Sequence, residues 1–368
     1  MRKKIISIFT MCMIFMLAGC NGIPSSQNSQ TIENRDVTDD ERNAAVMDIV
    51  PTEKIMELED GFSAVRYEGG YGFDEFLSSG GAASDGEVIE FLTQNMLGDL
   101  DLGFMGEIFG CSTIAVKNAD GEALFGRNFD WNSCEAMVVM SYPENAYASI
   151  STVNMDFIRQ GAGGVAGLAL KADEIKTIAA LYAPLDGMNE KGLAVSVNMI
   201  QDSATIDQNT DKPDITTTTA IRLVLDKAAT VDEALDLLEQ YDMHASMGMM
   251  VHFAIADSGG KSVVVEYIDN EMVVTQTPAV TNFYLAEGER HGVGTEQSHE
   301  RYDILMKSLE ENGSMDETKV RDTLDRVSKD NFGEFESTEW SIVFNLKEGK
   351  AVYYHRENYT QGYVFTIQ

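Results

Sequence analysis

Strand-like and helix-like segments come in separate blocks after residue 110, and this order constrains the fold more than any other feature. Residues 111–131 carry two strand-like runs on either side of an Asn-Ala-Asp-Gly turn, which predicts a β-hairpin. More strands, two helices, a second run of strands, two amphipathic helices and terminal strands follow. This order favours an α+β fold in which two antiparallel sheets have helices packed outside them.

The composition supports a globular protein and excludes some partners. The chain has 368 residues, of which 44% are hydrophobic, enough for a sizeable core. Its formal net charge is −33, with 60 acidic and 27 basic residues, so its surface repels nucleic acid. The histidines show no metal-ligand spacing, so we expect neither a metal nor an organic cofactor. They are His244, His252, His291, His299 and His355.

The N-terminus predicts export and a lipid anchor. A basic "MRKK" precedes the apolar run "IISIFTMCMIFML", which is too short for an ordinary membrane span. The "LAGC" that follows resembles the lipobox of bacterial lipoproteins, which implies a signal peptide over residues 1–20 and lipidation of Cys20. A plain secretory signal or an uncleaved anchor is the alternative. Residues 21–38 are polar and aperiodic, typical of a flexible tether, so we expect an extracytoplasmic protein anchored to the bacterial membrane.

Residues 39–110 are predicted to form a helical propeptide or small subunit. Residues 39–60 are acidic and helix-like with a break at Pro51, and residues 86–109 carry apolar side chains at helical spacing. A Gly- and Ser-rich stretch between these two segments predicts a loop.

Cys111 admits three interpretations. Once a signal region is removed, Cys12 is lost and Cys20 is committed to lipid, which leaves Cys111 and Cys134. Cys111 is therefore a small buried hydrophobe, half of a disulfide, or a nucleophile that becomes an N-terminus when the chain is cut after Gly110.

The hairpin could supply the groups that such a nucleophile needs. An N-terminal cysteine can use its own α-amine as the base, with an ordinary pKa of about 7.7–8. The guanidinium of Arg127 would favour the thiolate, and the carboxylate of Asp130 would hold the ammonium group.

The stretch "GCSTIAVKNADGEALFGRNFDW" resembles the start of the catalytic chain in the choloylglycine hydrolase superfamily of linear amide hydrolases. That group includes bile salt hydrolases, penicillin V acylases, acid ceramidase and N-acylethanolamine acid amidase. The resemblance implies a four-layer αββα N-terminal-nucleophile (Ntn) hydrolase domain over residues 111–368. It also implies that Cys111 is the nucleophile and that Arg127 and Asp130 form the family's "GRNxD" pattern.

Three further segments extend the resemblance in family order. "LDGMNEKGLAVSVNMI" maps Asn198, whose main chain would serve the oxyanion hole, and "VVTQTPAVTNFY" maps Asn282 as its side-chain donor. "SHERYDIL" maps Arg301, which would brace the site. The gap from Asn189 to Asn198 is one residue shorter than in bile salt hydrolases. The short separation of Asn282 and Arg301 is more like the ceramidase and amidase branch.

The expected activity is hydrolysis of a non-peptide amide C–N bond in a small N-acyl amide, after autoproteolysis between Gly110 and Cys111. The long segment before Cys111 is similar to the ceramidase and amidase branch, which favours a lipophilic acyl group. The alternative is a non-catalytic, surface-tethered ligand-binding lipoprotein with the same fold. A free cysteine N-terminus distinguishes the enzyme, since a binding protein need not have one.

Overall fold

Two large β-sheets form the centre of the protein in the computed structural model, which describes residues 45–97, 110–161, 173–330 and 336–367. The first nine strands are β1 Ala45–Asp48, β2 Met56–Glu59, β3 Phe62–Glu68, β4 Gly110–Lys117, β5 Ala123–Trp131, β6 Ala136–Tyr142, β7 Ser149–Asn154, β8 Asp186–Asn189 and β9 Leu193–Met199. The others are β10 Asp214–Thr216, β11 Asp242–His244, β12 Val251–Asp257, β13 Ser262–Ile268, β14 Glu271–Gln276, β15 Ala279–Val280, β16 Ser337–Asn345, β17 Lys350–His355 and β18 Gln361–Thr366.

Sheet A has seven strands in the order β1-β18-β17-β16-β5-β4-β15, and sheet B has nine in the order β14-β13-β12-β9-β8-β7-β6-β3-β2. Strands β10 and β11 form a separate pair. The helices are α1 Phe73–Ser78, α2 Asp85–Leu92, α3 Met155–Gly161, α4 Asp173–Leu181, α5 Thr217–Lys227, α6 Val231–Leu238, α7 Glu296–Asn312 and α8 Glu317–Asp325. A π-helical turn at Thr93–Leu97 extends α2, and a 3₁₀ turn lies at Ser246–Gly248.

The layers follow the predicted αββα order. Helices α4, α5 and α6 contact sheet B, α7 and α8 contact sheet A, and β4 contacts β9 between the two sheets. The hairpin over residues 111–131 is confirmed as β4 and β5. Helices α5 and α6 begin after Thr216 and Thr230, whose side chains accept hydrogen bonds from the first turn, as expected of N-caps.

The prediction of a helix over residues 39–60 is wrong for the described residues, which form strands. The sequence "MELEDGFSAVRYE" folds as the hairpin β2–β3 with Asp60 and Gly61 at its turn, where Gly61 has a φ of +80°. An Asp-Gly pair between strand-like runs is a hairpin signal that the acidic composition obscured. The predicted loop before α2 also contains the short helix α1, so that prediction is wrong in part.

The expectation of two purely antiparallel sheets is also wrong, because strands of the same N-terminal segment make both large sheets mixed. Strand β1 pairs in parallel with β18, and β3 pairs in parallel with β6. Residues 45–97 therefore belong to both sheets. Phe62, Val65 and Phe76 from this segment lie in the same core cluster as Cys111.

Strand alternation divides the side chains of sheet A between two cores. Cys111 and Phe129 face sheet B in the larger cluster, whereas Ile114 and Leu124 face α7 and α8 in a smaller one. Because side chains alternate faces along a strand, the first residues of β4 can reach both sides of sheet A. A site at the start of β4 can therefore include side chains from both faces of sheet A.

Residues 1–44 and 98–109 lie outside the described residues, so the predicted signal peptide, Cys20, the tether and most of the segment just before Cys111 are among them. Within the described part of the chain, no helix has both the length and the apolar character needed to cross a membrane.

If the bond after Gly110 is cut, we expect the piece that contains residues 45–97 to stay bound. Strand β3 lies between β2 and β6 in sheet B, and its Val65 is fully buried. Size-exclusion chromatography should show both pieces in one peak, separating only in denaturant. Val65→Asp, which buries a charge, should disrupt this association, and the exposed Glu57→Ala should not. A soluble, folded large piece that elutes alone from the wild-type protein would contradict this expectation.

Candidate active site

Cys111 lies near the start of β4, with its side chain fully buried between the two sheets. Its Sγ lies 3.7 Å from the carbonyl oxygen of Val197 on β9. Its main-chain nitrogen, the atom bonded to Gly110, donates to Asn282 Oδ1 at 2.8 Å. The thiol and the peptide nitrogen that the sequence singles out are thus held by two different parts of the fold.

Arg127 reaches the same carbonyl from β5. Its Nη2 donates to Val197 O at 2.8 Å and its Nη1 to Asn198 Oδ1 at 2.7 Å. Its Nε lies 3.3 Å from Asp186 Oδ2, and both side chains of this ion pair are fully buried. Trp340 donates to the same carboxylate oxygen at 3.0 Å. Arg127 is therefore fixed beside the thiol by a carboxylate, an amide and a carbonyl.

Asn198 contributes its side chain rather than its main chain to this arrangement. Ile200 N–H donates to Met250 O on the β12 side of β9, whereas Val197 N–H donates to Leu185 O on the β8 side. Because main-chain groups alternate sides along an antiparallel strand, the N–H of Asn198 faces β12. The same alternation turns the N–H of Met199 to the side of Val197 O, where Cys111 Sγ lies.

Asp130 and Arg301 meet on the other face of sheet A. Thr338 donates to Asp130 Oδ1 at 2.8 Å, and Arg301 Nη1 lies 3.4 Å from Asp130 Oδ2. The same Nη1 donates to Cys111 O and to Ser112 Oγ, both at 2.7 Å. Arg301 thus binds the main-chain carbonyl of Cys111 from helix α7.

Asn282 connects these groups. Its Oδ1 accepts from Cys111 N and from Arg301 Nη2, each at 2.8 Å, so these two donors fix the amide orientation. Its Nδ2 donates to Met199 O at 2.6 Å, and this nitrogen carries a second hydrogen. Its main-chain N–H donates to Ser298 Oγ at the start of α7.

Gly110 has no room for a side chain. A Cβ there would lie 2.5 Å from Lys329 Nζ and 2.9 Å from Asp130 Oδ2. Lys329 is itself buried, with its ammonium group against the carboxylate of Glu336 and 3.8 Å from Asp130 Oδ2. Gly110 is therefore enclosed by charged groups.

Burial governs the electrostatics of the uncut site. Burial raises the pKa of the Cys111 thiol to about 11, although Arg127 opposes this by favouring the thiolate. Burial likewise raises the pKa of Asp186, against the opposing effects of Arg127 and of hydrogen bonds from Thr152 and Trp340. At neutral pH the thiol in the uncut chain is protonated and shielded from solvent.

The disulfide interpretation of Cys111 is excluded in this structure, because Cys111 and Cys134 both carry free, buried thiols. Cys134 instead donates its main-chain N–H to Glu339 at 3.0 Å. Among residues 45–97, 110–161, 173–330 and 336–367, no cluster of three or more His, Cys, Asp or Glu side chains could hold a metal ion.

The structure brings all six predicted residues together: Cys111, Arg127, Asp130, Asn198, Asn282 and Arg301. Sequence reasoning missed several partners that hold them in place: Ser112, Asp186, Ser298, Lys329, Glu336, Thr338 and Trp340. Asp186 lies inside the segment that mapped Asn198, where a carboxylate between apolar neighbours was a signal for a buried partner. The others carry no local signal, since they come from strands and helices distant in sequence.

The fold is that of Ntn hydrolases, as comparison with solved structures shows. Two variants of conjugated bile acid hydrolase from Clostridium perfringens match this chain. One has a TM-score of 0.53 at 19% identity, and the other 0.52 at 18%. Each match covers 70% of this chain and 92% of the other. At these identities the likeness shows the fold alone.

The family is shown by sequence. The family model described as linear amide C–N hydrolases, choloylglycine hydrolase family, matches residues 111–319, more than half of the 368-residue chain. This protein therefore belongs to the choloylglycine hydrolase family of linear amide C–N hydrolases. It is also 33% identical over 99 residues to penicillin V acylase from Pectobacterium atrosepticum, a match that covers 24% of this chain and 26% of that protein. The chain thus aligns with about a quarter of this curated relative.

Asp186→Asn should destabilise the protein by about 3–5 kcal/mol, because it leaves the buried Arg127 without its counter-charge. The exposed pair of Arg66 and Glu68 offers a control, and Glu68→Gln should cost about 0–1 kcal/mol. Both are compared by urea unfolding in a Cys111→Ala background, so that all samples share one covalent state. Equal midpoints for the two variants would show that Asp186 does not neutralise Arg127.

Proposed function

We propose that this protein cuts itself between Gly110 and Cys111 and then uses the new N-terminal cysteine to hydrolyse small N-acyl amides. One observation carries the proposal: the nitrogen of the bond to be cut donates to Asn282 Oδ1 at 2.8 Å. The thiol of the same residue lies beside Arg127, which makes Cys111 suited to attack its own peptide bond and then other amides.

The self-cleavage requires only groups of this chain and water. Cys111 Sγ attacks the carbonyl carbon of Gly110, the bond to the Cys111 nitrogen breaks, and that nitrogen takes up the thiol proton. Water then hydrolyses the resulting thioester, which leaves a carboxylate on Gly110 and a free amine and thiol on Cys111.

The mature site would repeat this chemistry on a substrate. The α-amine of Cys111 takes the thiol proton, Sγ attacks the amide carbonyl, and the departing amine leaves with a proton from the α-ammonium group. Water then cleaves the acyl-thioester and releases the acid. Local displacement of Gly110 after the cut would reduce the burial that raises the pKa of the thiol, so Arg127 could favour the thiolate.

Asn282 is assigned as the side-chain donor to the oxyanion, because its Nδ2 carries a hydrogen beyond the one bound to Met199 O. The main-chain N–H of Asn198 is not assigned as a donor, because strand alternation turns it toward β12. Asn198 is then a positioning residue for Arg127. Asp130 would orient the new α-amine, since its Oδ2 lies against Gly110.

The substrate is proposed to be an amide with a hydrophobic acyl group. The acyl carbonyl must stay between Cys111 and the oxyanion donor through both steps, whereas the amine leaves after the first. Specificity should therefore depend mainly on the acyl side. Relatives named conjugated bile acid hydrolase and penicillin V acylase fit this class of bond. We further propose that lipidation of Cys20 anchors the enzyme outside the cytoplasm, as its lipobox-like "LAGC" indicates.

Intact-mass analysis of the protein from its native membrane fraction tests maturation. We expect two chains, one that starts at lipidated Cys20 and ends at Gly110, and one that starts at Cys111. Cys111→Ala should remain a single lipidated chain, because it lacks the nucleophile. Cys134→Ser serves as the matched control, since its thiol is also buried, and it should be cut like the wild type. An active wild-type protein that remains uncut would refute the maturation step.

A panel of amides tests the activity: glycine- and taurine-conjugated bile acids, penicillin V, N-acylethanolamines, ceramides and N-acyl amino acids. The cleaved protein should release amine from at least one of them. Asn282→Ala should then lower kcat by about a hundredfold or more, the usual loss for one oxyanion donor. Variants are assayed only after mass analysis has shown them to be cut.

A cleaved wild-type protein that releases no amine from any amide, and whose Cys111 resists thiol alkylation, would favour the ligand-binding lipoprotein. Membership of a hydrolase family and the convergence of six site residues favour the enzyme.

A further inference from the structure

Two buried charged residues outside the site hold the segment that carries Asn282. His252 Nε2 lies 2.8 Å from Thr281 O, immediately before Asn282. The carboxylate of Glu266 accepts the main-chain N–H groups of Leu285 at 2.9 Å and Ala286 at 2.6 Å, just beyond it. The segment is thus bound on both sides of the proposed oxyanion donor.

The two residues also bind each other. His252 Nδ1 lies 3.2 Å from Glu266 Oε1, and both side chains are fully buried. Both ring nitrogens of His252 face oxygen atoms, one on the Glu266 carboxylate and one on the Thr281 carbonyl. Burial acts to raise the pKa of Glu266, but the hydrogen bond and charge of His252 outweigh it and lower this pKa. Both ring nitrogens of His252 and both carboxylate oxygens of Glu266 therefore have a hydrogen-bond partner.

The sheet register ties this pair to the nucleophile. His252 on β12 lies directly opposite Asn198 on β9, the residue whose side chain binds Arg127. Glu266 lies on the next strand, β13. Sheet B therefore sets the position of Arg127 through β9 and the position of Asn282 through the pair on β12 and β13.

We propose that Glu266 and His252 are positioning residues that hold the Asn282 amide against Cys111 during catalysis. The inference rests on the proposed function, because it assumes that Asn282 is an oxyanion donor. Neither residue faces the thiol in the described contacts; both act through the main chain around Asn282. A misplacement of about 1 Å in a catalytic group can cost about a hundredfold in rate, so the loss of this pair should lower kcat.

A second buried pair offers the matched control. Arg222 and Asp226 on α5 are also almost fully buried, and Arg222 Nη2 additionally donates to Ser149. Their side-chain partners Tyr71 and Ser149 lie outside the site, so Asp226→Asn should lower thermal stability without changing kcat per folded molecule. Glu266→Gln disrupts a pair of the same kind at the Asn282 segment.

The experiment is a double-mutant cycle on the cleaved, full-length protein, with a substrate that the amide panel has identified. Glu266→Gln is expected to lower kcat at least tenfold and to leave KM within about twofold. In the Asn282→Ala background the same substitution should cause little further loss, because there is no donor left to position. His252→Gln, which keeps an amide donor near Thr281, replaces Glu266→Gln if that variant does not fold.

The outcomes separate the two proposals. If Asn282→Ala is inactive while Glu266→Gln and His252→Gln keep the wild-type kcat, the positioning role alone is overturned. Losses that multiply in the double mutant overturn it as well, since Glu266 would then act independently of Asn282. A wild-type kcat in Asn282→Ala overturns the oxyanion assignment and, with it, this inference.

Discussion

The guanidinium groups of Arg127 and Arg301 are both out of contact with water, and the rest of the site follows from this. A charge moved from water into a protein interior is strongly unfavourable unless it is paired and hydrogen-bonded. Arg127 meets Asp186 between the sheets, and Arg301 meets Asp130 on the α7 face of sheet A. Strands from both sheets and helix α7 must therefore come together around residue 111 for the chain to fold at all.

The hydrogen bonds of these two arginines also surround Cys111. Arg127 needs acceptors on all sides, and the carbonyl of Val197 that it binds is also the acceptor nearest to Cys111 Sγ. Arg301 needs acceptors as well, and it finds Cys111 O and Asn282 Oδ1. The groups that bind two buried cations thus also position Cys111, the proposed nucleophile, and Asn282, the proposed oxyanion donor. In the proposed mechanism, stability and chemistry depend on the same hydrogen bonds.

The fold also depends on the segment before Cys111. Strand β3 lies inside sheet B, and Phe62 stacks on His355 with ring centroids 5.0 Å apart. A cut at Gly110 would therefore divide the covalent chain without dividing the core. In the proposed maturation, a local rearrangement around residue 110 would expose Cys111 while the two sheets stay intact.

The sequence by itself determined the β-hairpin of residues 111–131, the capped helices α5 and α6, and the residue types at the candidate site. These features depend on local patterns: the turn "NADG", threonine N-caps, and the spacing of Cys111, Arg127 and Asp130. Only the tertiary structure decided that residues 45–68 are strands, because β1 and β3 pair with partners far away in the chain. It alone also showed Asp186 beside Arg127 and the Glu266–His252 pair beside Asn282. Such contacts join residues that are distant in sequence, so no local pattern predicts them, and a charge buried by the fold is tolerated only where a distant residue pairs with it.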